Sequence, residues 1–168
     1  MAAPLTLVLG GARSGKSRHA EALAMRVAGP WTYVATAEIH DEEMRARIAE
    51  HRARRGESWL TVEAPLDLGA AIRAARGNAV LVDCLTLWLS NLMHAGRDLD
   101  AETAKLDAAL DAASVPVFLV SNEVGLGIVP ENALARRFRD AAGRLHQRLA
   151  ARADHVLLMV AGLPLTVK

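Results

Sequence analysis

Short apolar runs alternate with longer amphipathic stretches along the whole chain. The runs are rich in Val and Leu and are bounded by turn residues, which is typical of buried strands. They predict strands over residues 5–9, 31–35, 59–63, 79–83, 115–121, 155–160 and 163–167, with the last at a sheet edge. The stretches between them predict helices over residues 16–28, 41–55, 66–75, 85–93, 101–113 and 133–153. This alternation favours an α/β fold, with helices on both faces of a mostly parallel sheet.

Length and composition narrow the class of protein. The chain has 168 residues, which fits a single domain spanning residues 1–168. Hydrophobic residues make up 52% and charged residues 23%, which excludes a disordered chain. Lys and Arg number 20 against 19 Asp and Glu, so no overall basic charge favours nucleic acid as a partner. The single cysteine, Cys84, fits a reducing cytoplasm, and no apolar run is long enough for membrane insertion.

The clearest motif follows the first predicted strand. Residues 10–17 match the phosphate-binding pattern G-x-x-x-x-G-K-[ST] at every fixed position. Glycines let backbone N–H groups surround phosphate oxygens, and the helix that follows directs its positive end toward them. We expect Lys16 to contact the β- and γ-phosphates and Ser17 to bind Mg²⁺. The predicted nucleotide-binding loop consists of Gly10, Gly11, Ala12, Arg13, Ser14, Gly15, Lys16 and Ser17.

A second metal ligand is expected at the end of another buried strand, where P-loop enzymes place an acidic residue. Asp83 ends the apolar run 79–83 and is the candidate, although a plain turn residue is the alternative interpretation. The sequence contains no Asn-Lys-x-Asp guanine motif, which disfavours a regulatory GTPase switch.

One histidine lies among arginines. Helical spacing places Arg47, Arg54 and Arg55 on the face of His51. Nearby positive charge keeps an imidazole neutral and nucleophilic, and guanidinium groups bind phosphates. A solvated basic helix with an incidental histidine explains the pattern equally well. For the other histidines considered, packing or solvent exposure is expected: His19, His94, His146 and His155.

Four stretches together resemble one known family: residues 10–21, residues 33–37, residues 41–48 with His51, and residues 121–132. The chain is similar to the bifunctional adenosylcobinamide kinase / adenosylcobinamide-phosphate guanylyltransferases of cobalamin nucleotide-loop assembly. The resemblance implies a RecA-like P-loop NTPase fold and a homotrimer. It implies that ATP or GTP phosphorylates the aminopropanol hydroxyl of adenosylcobinamide. GMP from GTP is then transferred to adenosylcobinamide phosphate, which gives adenosylcobinamide-GDP.

The resemblance also assigns residues. The histidine that carries GMP as a phosphoramidate corresponds to His51, and Lys16 is the other catalytic residue. Besides the loop, the implied nucleotide contacts are Ala35, Thr36, Ala37, Arg52, Ala53, Arg54, Arg55, Glu63 and Asp83. Glu50 stands where relatives can have a second histidine, and relatives can have Glu in place of Asp83.

A single phosphate loop in a single domain implies that both reactions use the same nucleotide cradle. Three alternatives stay open: a small-molecule kinase without a covalent step, a nucleotide-binding switch, and a nucleic-acid-dependent ATPase acting through residues 45–55. Near-neutral charge and an aromatic content of 4% disfavour the last. Asn122 and Glu123 follow a predicted strand and either line the cleft or form a turn.

Overall fold

The computed structural model describes residues 3–38 and 42–168, apart from the side chains of residues 43, 44, 47, 51 and 54. Seven strands in this part of the chain form one sheet: β1 (Leu5–Gly10), β2 (Trp31–Ala35), β3 (Trp59–Glu63), β4 (Val80–Asp83), β5 (Val117–Asn122), β6 (His155–Val160) and β7 (Leu163–Thr166). Six helices connect them: α1 (Lys16–Ala24), α2 (Glu42–Arg54), α3 (Leu68–Ala74), α4 (Leu85–His94), α5 (Leu99–Asp111) and α6 (Ala133–Arg152).

The strand order in the sheet is β3-β2-β4-β5-β1-β6-β7. All neighbouring strands are parallel except β6 and β7, which are antiparallel. In this register Gly10 lies opposite Asn122, and Ala35 lies between Asp83 and Glu63. The carboxyl ends of the central strands therefore meet at one edge of the sheet, where α/β proteins bind ligands.

Alternate residues of the central strands pack into two apolar clusters, one on each face of the sheet. Leu7, Val34, Val82 and Leu119 belong to the larger cluster, which includes residues of α3 to α6. Their neighbours Val8, Tyr33, Leu81 and Val120 face the other way and pack with Ala20 and Ala24 of α1. The layered α/β architecture predicted from the sequence is confirmed. None of the helices described is long and apolar enough to cross a membrane.

The elements match the predicted ones in order and type, but some boundaries were wrong. Helix α1 ends at Ala24 and not at residue 28, because the N–H groups of Arg26 and Val27 donate to carbonyls three residues back. Helix α3 begins at Leu68 and not at residue 66. The carbonyl of Leu66 accepts hydrogen bonds from Leu68 N and from the Trp88 indole, which keeps this segment outside the helix.

Helix α5 begins two residues earlier than predicted, at Leu99. Asp98 caps the amino terminus of this helix, since its carboxylate accepts hydrogen bonds from the backbone N–H groups of Asp100 and Ala101. Strand β5 begins at Val117, after Pro116, and continues to Asn122. This extension carries Asn122 to the edge of the sheet where the phosphate loop begins.

Candidate nucleotide site

The phosphate loop joins β1 to α1, and its backbone requires glycine at two positions. A Cβ at Gly10 would lie 2.4 Å from Ser14 Oγ and 3.1 Å from the carbonyl oxygen of Met159. Gly15 is the residue before α1 and has φ of 90°, a left-handed conformation that favours glycine. The two fixed glycines of the motif thus shape a tight turn that ends at the amino terminus of a helix, which is a favourable position for phosphate.

Lys16 lies across this loop. Its Nζ donates a hydrogen bond to the carbonyl of Gly11 at 2.9 Å, and the residue is 8% exposed. Burial lowers the pKa of Lys16, whereas the charge of Asp83 acts in the opposite direction and raises it. Ser14 Oγ is also buried and has no hydrogen-bond partner among the residues described. Both groups are donors that a phosphate oxygen can satisfy.

Asp83 lies at the end of β4 and is held by Tyr33 of β2. The Tyr33 hydroxyl donates to Asp83 Oδ2 at 3.1 Å. Burial, followed by the charge of Asp83, raises the pKa of Tyr33 above its ordinary range, so the hydroxyl keeps its proton as a donor. The hydroxyl of Thr36 fixes the neighbouring strand end, because it donates to the Cys84 carbonyl at 2.7 Å and accepts from Cys84 N.

The residues present fit a magnesium ion bound together with phosphates. Among the residues described, no three His, Cys, Asp or Glu side chains are grouped to hold a metal by themselves. Mg²⁺ bound to a nucleotide needs only one or two protein ligands, because phosphates and water supply the rest. Ser17 and Asp83 line the same cavity and are of the right chemical type.

A cavity of about 770 Å³ lies over the loop and brings most of the predicted residues together. Its predicted lining residues are Ala12, Arg13, Ser14, Gly15, Lys16, Ser17, Ala35, Ala37, Arg52, Arg55, Glu63 and Asp83. Ile48, Glu50 and Arg52 of α2 lie along one wall. The loop, the ends of β2, β3 and β4, and helix α2 therefore enclose one site.

Arg55, which follows α2 in the chain, places a buried charge in this wall. Its guanidinium carbon lies 3.3 Å from the centroid of the Tyr33 ring, a cation–π contact, and its Nη1 lies 3.7 Å from Glu21 Oε1. The side chain is 4% exposed, yet Nε and Nη1 have no hydrogen-bond partner among the described residues. A buried guanidinium with N–H groups to spare is suited to bind an anion, because an unpaired buried donor is costly.

Other predicted residues do not face the cavity. Thr36 is fully buried and fastens the strand ends together, and Ala53 is exposed outside the cavity lining. Gly10 lies beneath the loop, and Gly11 lines a second cleft on its far side. The side chains of His51 and Arg54 lie outside the described residues, although the backbone of His51 runs in α2 between Glu50 and Arg52.

Sequence reasoning missed Tyr33 as a site residue and left Asn122 and Glu123 undecided. Asn122 lines the cavity, and its amide donates to Thr86 Oγ1 at 2.7 Å. Glu123 does form a turn, because its Oε1 accepts a hydrogen bond from Gly125 N at 2.6 Å. The position of Tyr33 in a buried strand gave no sign that its hydroxyl reaches Asp83, since that contact depends on which strands are neighbours.

Comparison with known proteins gives relatives over nearly the full length. The chain is 51% identical over 166 residues to the bifunctional adenosylcobalamin biosynthesis protein CobP of Pseudomonas aeruginosa, covering 96% of each chain. It is 46% identical over 181 aligned positions to the bifunctional adenosylcobalamin biosynthesis protein CobU of Salmonella typhimurium, covering 98% of this chain and 99% of the relative. A crystal structure of the RadB recombinase superposes with a TM-score of 0.48 at 18% identity, covering 94% of this chain and 75% of the other.

The family model described as cobinamide kinase / cobinamide phosphate guanyltransferase matches residues 6–167. This range includes the phosphate loop, α2 and Asp83, which are the parts that line the nucleotide cavity. The chain therefore belongs to the cobinamide kinase / cobinamide phosphate guanyltransferase family.

Proposed function

We propose that the two activities of the family, phosphorylation of cobinamide and transfer of a guanylyl group to cobinamide phosphate, proceed in turn at one nucleotide cradle. The observation that carries this proposal is the shared cavity of about 770 Å³, which is lined by the phosphate loop, Asp83 and residues of α2. The loop and Asp83 suit the first reaction, and the α2 residues Glu50 and Arg52, which line the cavity and flank His51 in the chain, support the second. The γ-phosphate is the target in one reaction and the α-phosphate in the other.

In the kinase reaction the aminopropanol hydroxyl of adenosylcobinamide attacks the γ-phosphorus of ATP or GTP. The hydroxyl oxygen forms the new bond to phosphorus, and the nucleoside diphosphate leaves. Lys16 and the backbone N–H groups of the loop stabilise the charge on the transferred group. Mg²⁺, when bound through Ser17 and Asp83, supplies further charge neutralisation at the phosphates.

In the guanylyltransferase reaction a neutral imidazole nitrogen of His51 attacks the α-phosphorus of GTP and displaces pyrophosphate. The GMP is held as a phosphoramidate until an oxygen of adenosylcobinamide phosphate attacks the same phosphorus and frees the histidine. Arg52 and Arg55, which follow His51 in the chain and line the cavity, are positioned to bind the phosphates.

A covalent adduct tests this assignment directly. The protein is incubated with Mg²⁺ and GTP labelled at the α-phosphate and is then denatured. The label that stays attached to the denatured protein is measured. We expect label that is released in acid and retained in base, as phosphoramidates behave, and a complete loss of label in His51→Ala. His155→Ala is the matched control, because His155 is exposed at the start of β6, at the opposite end of the sheet.

Two results contradict the covalent route. One is active enzyme that retains no label, and the other is normal labelling of His51→Ala. Either result leaves a kinase without a covalent histidine, which is the closest alternative. Protein that retains label from α-labelled GTP but none from γ-labelled GTP carries the GMP part of the nucleotide.

Two further parts of the proposal concern assembly and location. A homotrimer follows from the resemblance to the family, and light scattering coupled to gel filtration measures the mass directly. A cytoplasmic location agrees with a single cysteine, Cys84, whose buried thiol has a pKa raised by burial and is thereby kept as a thiol. Fractionation of cells that express the tagged chain tests the location.

A further inference from the structure

A second cleft, of about 670 Å³, lies on the other side of the phosphate loop. It shares Ala12, Arg13 and Ser14 with the nucleotide cavity, so the loop is a wall common to both. The rest of the second cleft differs in character. Its lining comes from the segment that follows β5 and from the end of β6, and is mostly apolar, with Val124, Leu126, Leu158, Met159, Val160 and Ala161.

The apolar surface continues beyond the cleft along the segment that leaves β5. Leu126 is 86% exposed, Ile128 97% and Val129 60%. Three large apolar side chains exposed within four residues form a patch of the kind that marks a binding surface rather than an incidental exposure. This segment belongs to the stretch 121–132, which the nucleotide site uses only through Asn122.

Glu123 lies where the apolar wall meets the phosphate loop. Its backbone N–H donates to the carbonyl of Gly10 at 2.9 Å, which fixes the residue to the start of the loop. Its Oε1 accepts from Gly125 N at 2.6 Å, so the carboxylate is oriented by its own turn and Oε2 is left for another partner. Glu123 lines the second cleft and is its only carboxylate among the residues described.

We propose that the second cleft binds the corrinoid acceptor, and that Glu123 is the base of the kinase reaction. A corrin ring carries methyl groups between the amide-ended side chains at its edge, and these methyl groups suit the apolar wall of Leu126, Met159 and Val160. The acceptor hydroxyl is at the end of a flexible arm, which reaches across the loop toward the γ-phosphate. The inference rests on the proposed function, because it needs a nucleotide in the first cavity.

The reaction balances with groups that are present. The hydroxyl oxygen forms a bond to the γ-phosphorus, the bond from that phosphorus to the β-bridging oxygen breaks, and the hydroxyl proton passes to Glu123. The nucleoside diphosphate leaves with the electron pair. The guanylyltransferase reaction needs no such base, since its acceptor is a phosphate oxygen that is already ionised.

The apolar wall is tested with Leu126→Gln and its matched control Leu60→Gln. Leu60 is also an exposed leucine but belongs to β3, at the far edge of the sheet. Loss of one buried leucine contact corresponds to roughly a tenfold weaker binding. We expect Leu126→Gln to raise the KM for cobinamide and the Kd of dicyanocobinamide about tenfold, with unchanged binding of GTP, and Leu60→Gln to change neither.

The base is tested with Glu123→Gln, which keeps an oxygen to accept from Gly125 N and so preserves the turn. We expect kcat of the kinase reaction to fall by about two orders of magnitude or more. Guanylyl transfer to cobinamide phosphate supplied ready-made should keep its rate. If Glu123 had only a structural role, its substitution would lower the rates of both reactions together.

The outcomes separate this inference from the proposed function. Normal cobinamide KM in Leu126→Gln, or equal losses of both reactions in Glu123→Gln, overturns the second cleft as the acceptor site while the shared cradle stands. A change of oligomeric mass in Leu126→Gln with unchanged cobinamide binding shows that the patch contacts a second copy of the chain, and also overturns it. Absence of both activities in the unchanged protein contradicts the proposed function itself.

Discussion

The two sides of the phosphate loop differ in charge, in burial and in how they are built. On the nucleotide side, charged groups such as Lys16, Asp83 and Arg55 are buried or half-buried, and contacts with the loop and with Tyr33 fix their positions. On the other side, exposed leucine, isoleucine and valine side chains project from an irregular segment. Phosphate chemistry demands fixed polar groups, whereas an apolar ligand requires only a surface that water leaves readily.

The largest expected effect comes from removing the charge that serves the nucleotide side alone. Lys16→Met keeps the buried stem of the side chain but removes the ammonium group. We expect both activities to fall by about two to three orders of magnitude, because the phosphates of both reactions lie in the same loop. The Kd of dicyanocobinamide should stay unchanged. Initial rates of both reactions and a corrinoid titration measure these quantities.

Lys105→Met is the matched control, since Lys105 lies on α5 and pairs there with Glu102 at 2.9 Å. A Lys16→Met protein that keeps one activity at its full rate shows that the two reactions do not share the cradle. A loss of corrinoid binding as large as the loss of rate shows that the two clefts are not independent.

A smaller effect is expected from the hydrogen bond that holds Asp83. Tyr33→Phe removes the hydroxyl that donates to Asp83 Oδ2 and keeps the ring on which Arg55 stacks. A hydrogen bond to a charged group contributes about 1.5–3 kcal/mol, so nucleotide-dependent rates should fall by roughly ten- to a hundredfold. Titration of the rate against Mg²⁺ checks the cause, because a displaced Asp83 raises the Mg²⁺ concentration required.

Trp59 provides the comparison for Tyr33. Its ring also packs in this region, 6.2 Å from the Tyr33 ring, but its side chain does not line the cavity. Trp59→Phe should therefore leave the Mg²⁺ dependence as it was. An identical Mg²⁺ dependence in Tyr33→Phe and in the unchanged protein contradicts the role assigned to the hydroxyl.

The smallest effect concerns stability on the side of the second cleft. Nε2 of His146 in α6 lies 2.7 Å from Ser121 Oγ of β5, and both residues are buried. Burial lowers the pKa of His146 below 6.5, although the charge of Glu123 acts to raise it. The unfolded chain therefore binds a proton more readily than the folded one, and the free energy of unfolding falls as the pH drops below about 6.5.

Denaturant titrations between pH 8 and pH 5 measure this slope. His146→Gln should make the decrease shallower, with His155→Gln as the control for removing an exposed histidine. An unchanged slope in His146→Gln shows that the pair with Ser121 does not govern the pH dependence.

The sequence predicted the parts of this molecule that depend on local patterns. The loop is one, because its glycines and Lys16 lie within eight consecutive residues. The role of Asp83 followed from the rule that P-loop enzymes place an acidic residue at the end of another buried strand. Other features depend on strand order, because they join segments far apart in the chain. These are the contact of Tyr33 with Asp83, the stacking of Arg55 on Tyr33 and the packing of His146 against Ser121. No local pattern predicts them.

The loop as a common wall has a consequence for the order of events. Residues Ala12 to Ser14 line both clefts, and the hydrogen bond from Glu123 N to Gly10 O fixes the second cleft to the start of the same loop. In the proposed assignment the nucleotide and the corrinoid lie on different sides of this wall, so a spent nucleotide can leave and a fresh GTP can enter while the phosphorylated corrinoid stays bound. We therefore expect a relay in which the intermediate passes from the first reaction to the second without release into solution.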